Sequence, residues 1–252
     1  MIYIKDGEAI KRMSKAGAEL AGIFEDLVTF IKPGISTGAI DAYIATQLKQ
    51  RNLVSMTKGH MGYAHVSCIS LNDEVVHGVP SATRIIGEQD LVKVDICASW
   101  QGYAADAARA YCMPGLQDKK ILDMVETAQS ALDAGIAQAI PGNRLSDISA
   151  AIQTVVEQAG YGVVRDFAGH GIGKRMHEDP EVLNYGKPGK GPVLRSGMTF
   201  ALEPMITQGN YAVFVDEDGW TAKTIDRGWA MHVEDTIVIT DDKPLILTRK
   251  VQ

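Results

Sequence analysis

Apolar residues recur at helical spacing from residue 8 to residue 31, through Ile10, Met13, Ala16, Gly17, Leu20, Ile23, Phe24 and Leu27, and the run stops at Pro33-Gly34. A second helix is predicted behind it, capped by Ser36 or Thr37 and buried through Ile40, Ile44 and Leu48. The same order returns later: a helical stretch from about Ile121 to Ile140, a stop at Pro141-Gly142, then Ile148, Ile152 and Val156. Pro33 and Pro141, Ile40 and Ile148, Ile44 and Ile152, and Leu48 and Val156 are each 108 residues apart. The same step links Asp95, which ends Leu-Val-Lys-Val-Asp, to Glu203, which ends Thr-Phe-Ala-Leu-Glu. Repeated helices are common, but matched acids inside matched apolar strands are not. The pattern therefore predicts an α+β chain that forms a single domain over residues 1–252, built of two similar α/β halves (about 1–115 and 116–252) whose strands join in one curved sheet. No Ser/Gly-rich or Pro-rich stretch marks a linker, and Asn184 to Val193 reads as a loop.

The strands carry the chemistry. Leu91 to Ser99 and Tyr103 to Cys112 read as the arms of a hairpin. With its turn centred between Trp100 and Gln101, Asp95 would stand opposite Asp106. Like charges at the ~5 Å separation of cross-strand partners repel, more so on a buried face. Glu203 and Glu234 adjoin equally apolar runs. A lone Asp on an edge strand is ordinarily solvated, but these four acids are flanked by Val, Ile, Leu and Ala. Buried without partners they would cost several kcal/mol each, whereas divalent cations would make the arrangement favourable. A nitrogen donor is offered by His170 in Phe167-Ala-Gly-His-Gly-Ile-Gly173, where small neighbours let the backbone approach a metal. Four carboxylates and one imidazole suit a pair of Mn, Fe, Co or Zn ions better than a thiolate-rich structural zinc site.

Composition narrows the class. The net charge of -6 argues against a surface for nucleic acid, so DNA is not an expected partner. No basic leader and no apolar run approaching ~18 residues is present, so no membrane association is expected. Three cysteines without CxxC spacing suggest neither a disulfide framework nor a zinc knuckle, and a reducing, cytoplasmic setting is expected.

The run Phe167 to Tyr185, FAGHGIGKRMHEDPEVLNY, resembles the methionine aminopeptidase family of the bacterial (type I) kind along its whole length. Asn72 to Pro80 and Gly197 to Met205 resemble two further blocks of that family, and the likeness extends from the first helix to the last strand. The resemblance implies the pita-bread fold, with pseudo-symmetric halves and a curved, mainly antiparallel sheet. It implies that Asp95, Asp106, His170, Glu203 and Glu234 hold two divalent ions, Asp106 and Glu234 bridging them. It further implies that His77 and His177 contact the substrate and, with Glu203, take part in catalysis, while Tyr63, Cys68 and Trp220 are candidates for the pocket of the first side chain. The substrate would be an N-terminal Met-Xaa peptide with a small second residue, the ribosome exit region a further candidate partner, and the protein a monomer. The chain departs from the family pattern at Asp235, where a His is common, at Met176, often aromatic, and in Lys58 to Val66. Glu234-Asp235-Thr236 is more usual in Xaa-Pro peptidases, which gives an Xaa-Pro aminopeptidase or dipeptidase as one alternative. A non-catalytic peptide-binding relative is another.

Overall fold

A computed structural model describes residues 1–250 of the chain. The predicted helices form α1 (Gly7–Phe30), α2 (Thr37–Gln50), α3 (Lys119–Gln138) and α4 (Leu145–Gln158). Both ends of α4 stand 108 residues beyond those of α2. Asp6 starts α1 by accepting from the Ala9 N–H, and Ser36 starts α2 by accepting from the Ala39 N–H. The extended backbone of Ile31 ends α1 before Pro33, where another turn of helix would clash.

In the first half the strands are β1 (Val54–Ser55), β2 (Cys68–Leu71), β3 (Glu74–Val76), β4 (Leu91–Trp100) and β5 (Tyr103–Cys112). The second half supplies β6 (Gly162–Val163), β7 (Gly169–Gly171), β8 (Glu178–Val182) and β9 (Thr199–Leu202). It continues through β10 (Met205–Thr207), β11 (Val213–Val215), β12 (Ala222–Thr224), β13 (Ala230–His232), β14 (Glu234–Val238) and β15 (Leu245–Ile246). The main sheet runs β1-β4-β5-β14-β9-β7-β8, with β2 also on β4 and β15 on β14, and all its pairings are antiparallel. Its centre is the β5–β14 seam, where the halves meet: β2-β4-β5 on one side answers β7-β9-β14 on the other. Residues 203–233, between β9 and β14, replace the tight turn that joins β4 to β5.

The register of that hairpin corrects the expected pairing of the two acids. Asp95 lies opposite Ala108, and Asp106 lies opposite Cys97. The turn is centred one position later, on Gln101 and Gly102, whose φ values of 48° and 79° make the two-residue loop that matches strand twist. Glycine takes this left-handed backbone without strain, so Gly102 places the turn. Asp95 and Asp106 remain on one face as diagonal neighbours. Alternation sends Val92, Val94, Ile96, Ala105 and Ala107 to the other face, into a core with Leu20, Ile23, Leu27, Ile40 and Ile44 of α1 and α2. Phe200, Leu202 and Ile237 likewise pack on Leu132, Ile136, Ile148 and Ile152 of α3 and α4. The helices thus cover one side of the sheet, leaving the acids on the other.

Candidate metal centre

Five strands or their ends deliver the acids and the histidine. Asp95 sits mid-β4, Asp106 in β5, His170 in β7, Glu203 just past β9, and Glu234 opens β14. All five line one cavity of about 230 Å³. Single ligand atoms of Asp106, His170 and Glu234 lie within 4.8 Å of one another. His170 Nε2 is 3.5 Å from Glu203 Oε1 and 4.0 Å from Asp106 Oδ2. The other ring nitrogen, Nδ1, lies 2.9 Å from the Gly171 carbonyl. Donation there fixes the tautomer and leaves Nε2 a lone pair facing the acids.

The electrostatics call for a cation. Burial, and then Asp106, pushes the Asp95 carboxyl well above its usual range. Glu203 and Glu234 are raised in the same way, by burial first and by Asp106 next. Asp106 itself rises to about 6 through burial, tempered by hydrogen bonds with Cys97 and Asp95. Burial and the nearby His177 lower His170 to about 4, so its ring is neutral at pH 7, the form that binds metal. Asp106 Oδ1 and Glu234 Oε1 are buried with no hydrogen-bond partner among the described residues. Carboxylate oxygens orphaned in this way, beside a neutral imidazole, fit divalent metal ions.

The flanking glycines of His170 have a different cause from the one expected. A Cβ at Gly169 would lie 2.4 Å from the Ala201 carbonyl oxygen, and one at Gly171 would lie 2.1 Å from that of Asp179. They let β7 wedge between β8 and β9, and it is neighbouring backbone that approaches them.

Around the acids stand the other predicted residues. His77 follows β3 with φ 59°, a left-handed conformation that turns the chain at the cavity wall. Burial, and then His177, lowers its pKa to about 4. His177 precedes β8, with its ring centroid 4.4 Å from that of His170. Burial, and then His60, lowers it too. Tyr63 donates from its hydroxyl to the Ser67 and Gly78 carbonyls and meets Trp220 edge to face at 4.9 Å. Cys68 lies opposite Asp95 across β2 and β4. All five line the same cavity.

Sequence reasoning missed three neighbours. Cys97, opposite Asp106, lines the cavity. Its place two residues from Asp95, hence on the same face, could have revealed it. His60, in a 3₁₀ turn (His60–Gly62) that Gly59 and Gly62 enter and leave at φ 89° and 91°, has its ring 5.2 Å from that of His177. It falls in the segment matched only loosely, where no spacing signal singles it out. His232 Nε2, buried at the end of β13, lies 3.8 Å from Glu203 Oε2. Its only sequence signal is its place two residues before Glu234.

Residues 11–241 match the family model described as Metallopeptidase family M24. The chain is 42% identical to a methionine aminopeptidase of Clostridium acetobutylicum over 98% of its own length and 99% of that protein's. The crystal structure of a Thermotoga maritima methionine aminopeptidase superposes with a TM-score of 0.97 at 41% identity, covering 99% of this chain and 100% of that one. A prolidase from Pyrococcus furiosus superposes with a TM-score of 0.76 at 22% identity, covering 99% of this chain and 66% of the prolidase, a likeness of the pita-bread fold alone. Acids and a neutral imidazole drawn from both halves of a duplicated sheet are thus set in a chain that matches its enzyme relatives from end to end, and the chain belongs to metallopeptidase family M24, among the methionine aminopeptidases.

Proposed function

We propose that the chain removes the N-terminal methionine from Met-Xaa peptides with a small second residue, and that Asp95, Asp106, His170, Glu203 and Glu234 hold two divalent ions for the purpose. The observation that carries this reading is the pair of orphaned, buried carboxylate oxygens on Asp106 and Glu234, one from each half of the sheet, beside a neutral His170. Bound there, the ions supply Lewis acidity and lower the pKa of water toward neutrality. Glu203 keeps 14% of its side chain open to the cavity, so it can take a proton from water and pass it to the departing amine. His177 faces the peptide carbonyl and steadies the oxygen on which charge develops. His77, half-buried and neutral, holds the amide at the cleavage point.

Two adjoining cavities divide the substrate. The inner one, with Tyr63, Cys68 and Trp220, suits an unbranched apolar side chain. An outer cleft of about 570 Å³ shares His77, His170, His177 and Glu203 with it and takes the rest of the peptide. The physical setting is nascent chains in the cytosol, with the protein acting as a monomer over residues 1–252 as one domain. No helix among the described residues is long and apolar enough to cross a membrane. The deciding measurement compares hydrolysis of Met-Ala-Ser with that of Ala-Pro, with Mn²⁺ or Co²⁺ present and after chelation. Cleavage of the first, abolished by chelator and restored by metal, is expected; preference for Ala-Pro would favour the Xaa-Pro reading that Glu234-Asp235-Thr236 suggests.

A further inference from the structure

The seam between the halves is thin. β4 and β5 share ten residue pairs, but β5 and β14 share two, Glu234 with Ala108 and Asp235 with Ala107. The two seam strands nevertheless carry Asp106 and Glu234, which must keep their relative places to serve one centre. Side chains supply the missing stitches. Thr236 Oγ1 accepts from the Asp106 N–H and donates to the Asp106 carbonyl, both at 2.8 Å. Arg109 does the equivalent for Glu234: Nη1 donates to the Glu234 carbonyl at 2.5 Å and to the Ala108 carbonyl at 2.9 Å.

The guanidinium is held in turn. Its Nη2 donates to Asp235 Oδ1 at 2.6 Å and to the Thr248 carbonyl at 2.9 Å, and the group lies 5.4 Å from the Phe24 ring centre. Asp235, with no exposed side-chain surface, also accepts from Thr248 Oγ1 at 2.7 Å and Arg249 Nε at 2.6 Å. Strand alternation puts Arg109 and Asp235 on the helix side and the two acids on the cavity side. A planar fork can bond several acceptors at fixed angles, which a lysine ammonium cannot.

We propose that Arg109 and Asp235 are positioning residues of the metal centre, which fix the main chain of Glu234 against β5 from behind the sheet and so set the distance between ligands from the two halves. This rests on the metal reading of the site. Removing such an outer partner weakens metal binding by about 10–100-fold in metalloproteins generally.

The test is Mn²⁺ affinity by titration calorimetry and the visible spectrum of the Co²⁺-loaded protein, for Arg109→Lys and Asp235→Asn, with kcat and KM on Met-Ala-Ser alongside. Leu48→Ala, a core truncation in α2, which packs on α1, β1 and β2 rather than on the seam strands, serves as control. Expected are a 10–100-fold loss of Mn²⁺ affinity, an altered Co²⁺ spectrum and a fall in kcat with KM little changed in both seam variants; the control loses thermal stability and keeps its Mn²⁺ affinity. Arg109→Lys retains the charge facing Asp235, so it tests position if Asp235→Asn does not fold. Folded variants with wild-type affinity and spectrum overturn the proposal, and failure of both to fold overturns it by assigning the pair to stability alone. A wild-type chain that binds no divalent ion sinks the reading of the site itself, a result distinct from either.

Discussion

His170 Nε2 and Glu203 Oε1 stand 3.5 Å apart, too far for a good hydrogen bond yet close enough for both to bond one ion at about 2.1 Å. They come from β7 and from the end of β9, and the site between them draws its logic from competition between protons and metal.

Stability should reflect that competition. In the metal-free chain Asp106 titrates near 6, and Asp95, Glu203 and Glu234 well above the carboxylate range. A raised folded pKa stabilises the chain fully below the unfolded value, about 4, and that stability is lost as pH rises through the folded one. The rise in Tm given by saturating Mn²⁺ should therefore be small at pH 5 and grow through pH 6 to 8. Taking the difference between loaded and chelated protein cancels the other titrating groups. A Mn²⁺ effect independent of pH over this range would mean that the carboxylates do not hold the ion.

On the proposed reading, His77 and His177 serve turnover rather than metal retention. Changing either to Ala should lower kcat about 100-fold or more, while metal analysis of the purified variant still finds the wild-type metal content. Loss of the metal together with activity would reassign them as ligands.

Gly171 tests the cause assigned to the Gly-His-Gly run. Gly171→Ala would force a Cβ to 2.1 Å from the Asp179 carbonyl oxygen. Overpacking of this kind costs about 1–3 kcal/mol, so urea unfolding should shift to lower concentration even in chelated protein. An effect confined to the metal-loaded form would show that the glycine serves the ion instead.

Lys5 and Glu178 form a nearly sealed ion pair, Nζ to Oε2 at 2.7 Å with 6% and 5% of the side chains exposed. Glu178 follows His177 and also accepts from the Arg175 N–H at 3.3 Å. Lys5→Met strands that charge, at a cost of about 3–5 kcal/mol, and should lower Tm markedly in both metal-free and loaded protein. A Tm within a degree of wild type would mean that the pair is solvated in solution.

Trp220 should govern binding of the first side chain. It lines the inner cavity in edge contact with Tyr63. Trp220→Ala is expected to raise KM for Met-Ala-Ser more than it lowers kcat, the mark of binding energy shared by ground and transition states. A fall in kcat at constant KM would place Trp220 in the reacting machinery.

Much of this could be read along the chain. The helical stripes and their stops at Pro33 and Pro141 follow from contacts a few residues apart, so α1 and α3 emerge with their boundaries off by at most about two residues, and α2 and α4 contain the stripes expected of them. The acids were legible as well, because a carboxylate flanked by Val and Ile is costly wherever the strand lies. Tertiary structure alone decided the rest. One residue's difference in the turn moved Asp106 from Asp95 to Cys97, since hairpin register depends on which residues take positive φ. His60 reaches the cavity through a left-handed turn and His232 comes up behind Glu203 from a strand end, and neither leaves a periodic trace. The β5–β14 seam joins residues more than a hundred positions apart, and whether Arg109 meets Asp235 depends on sheet order. Local periodicity records which face a residue prefers; only the assembled sheet decides what stands opposite it.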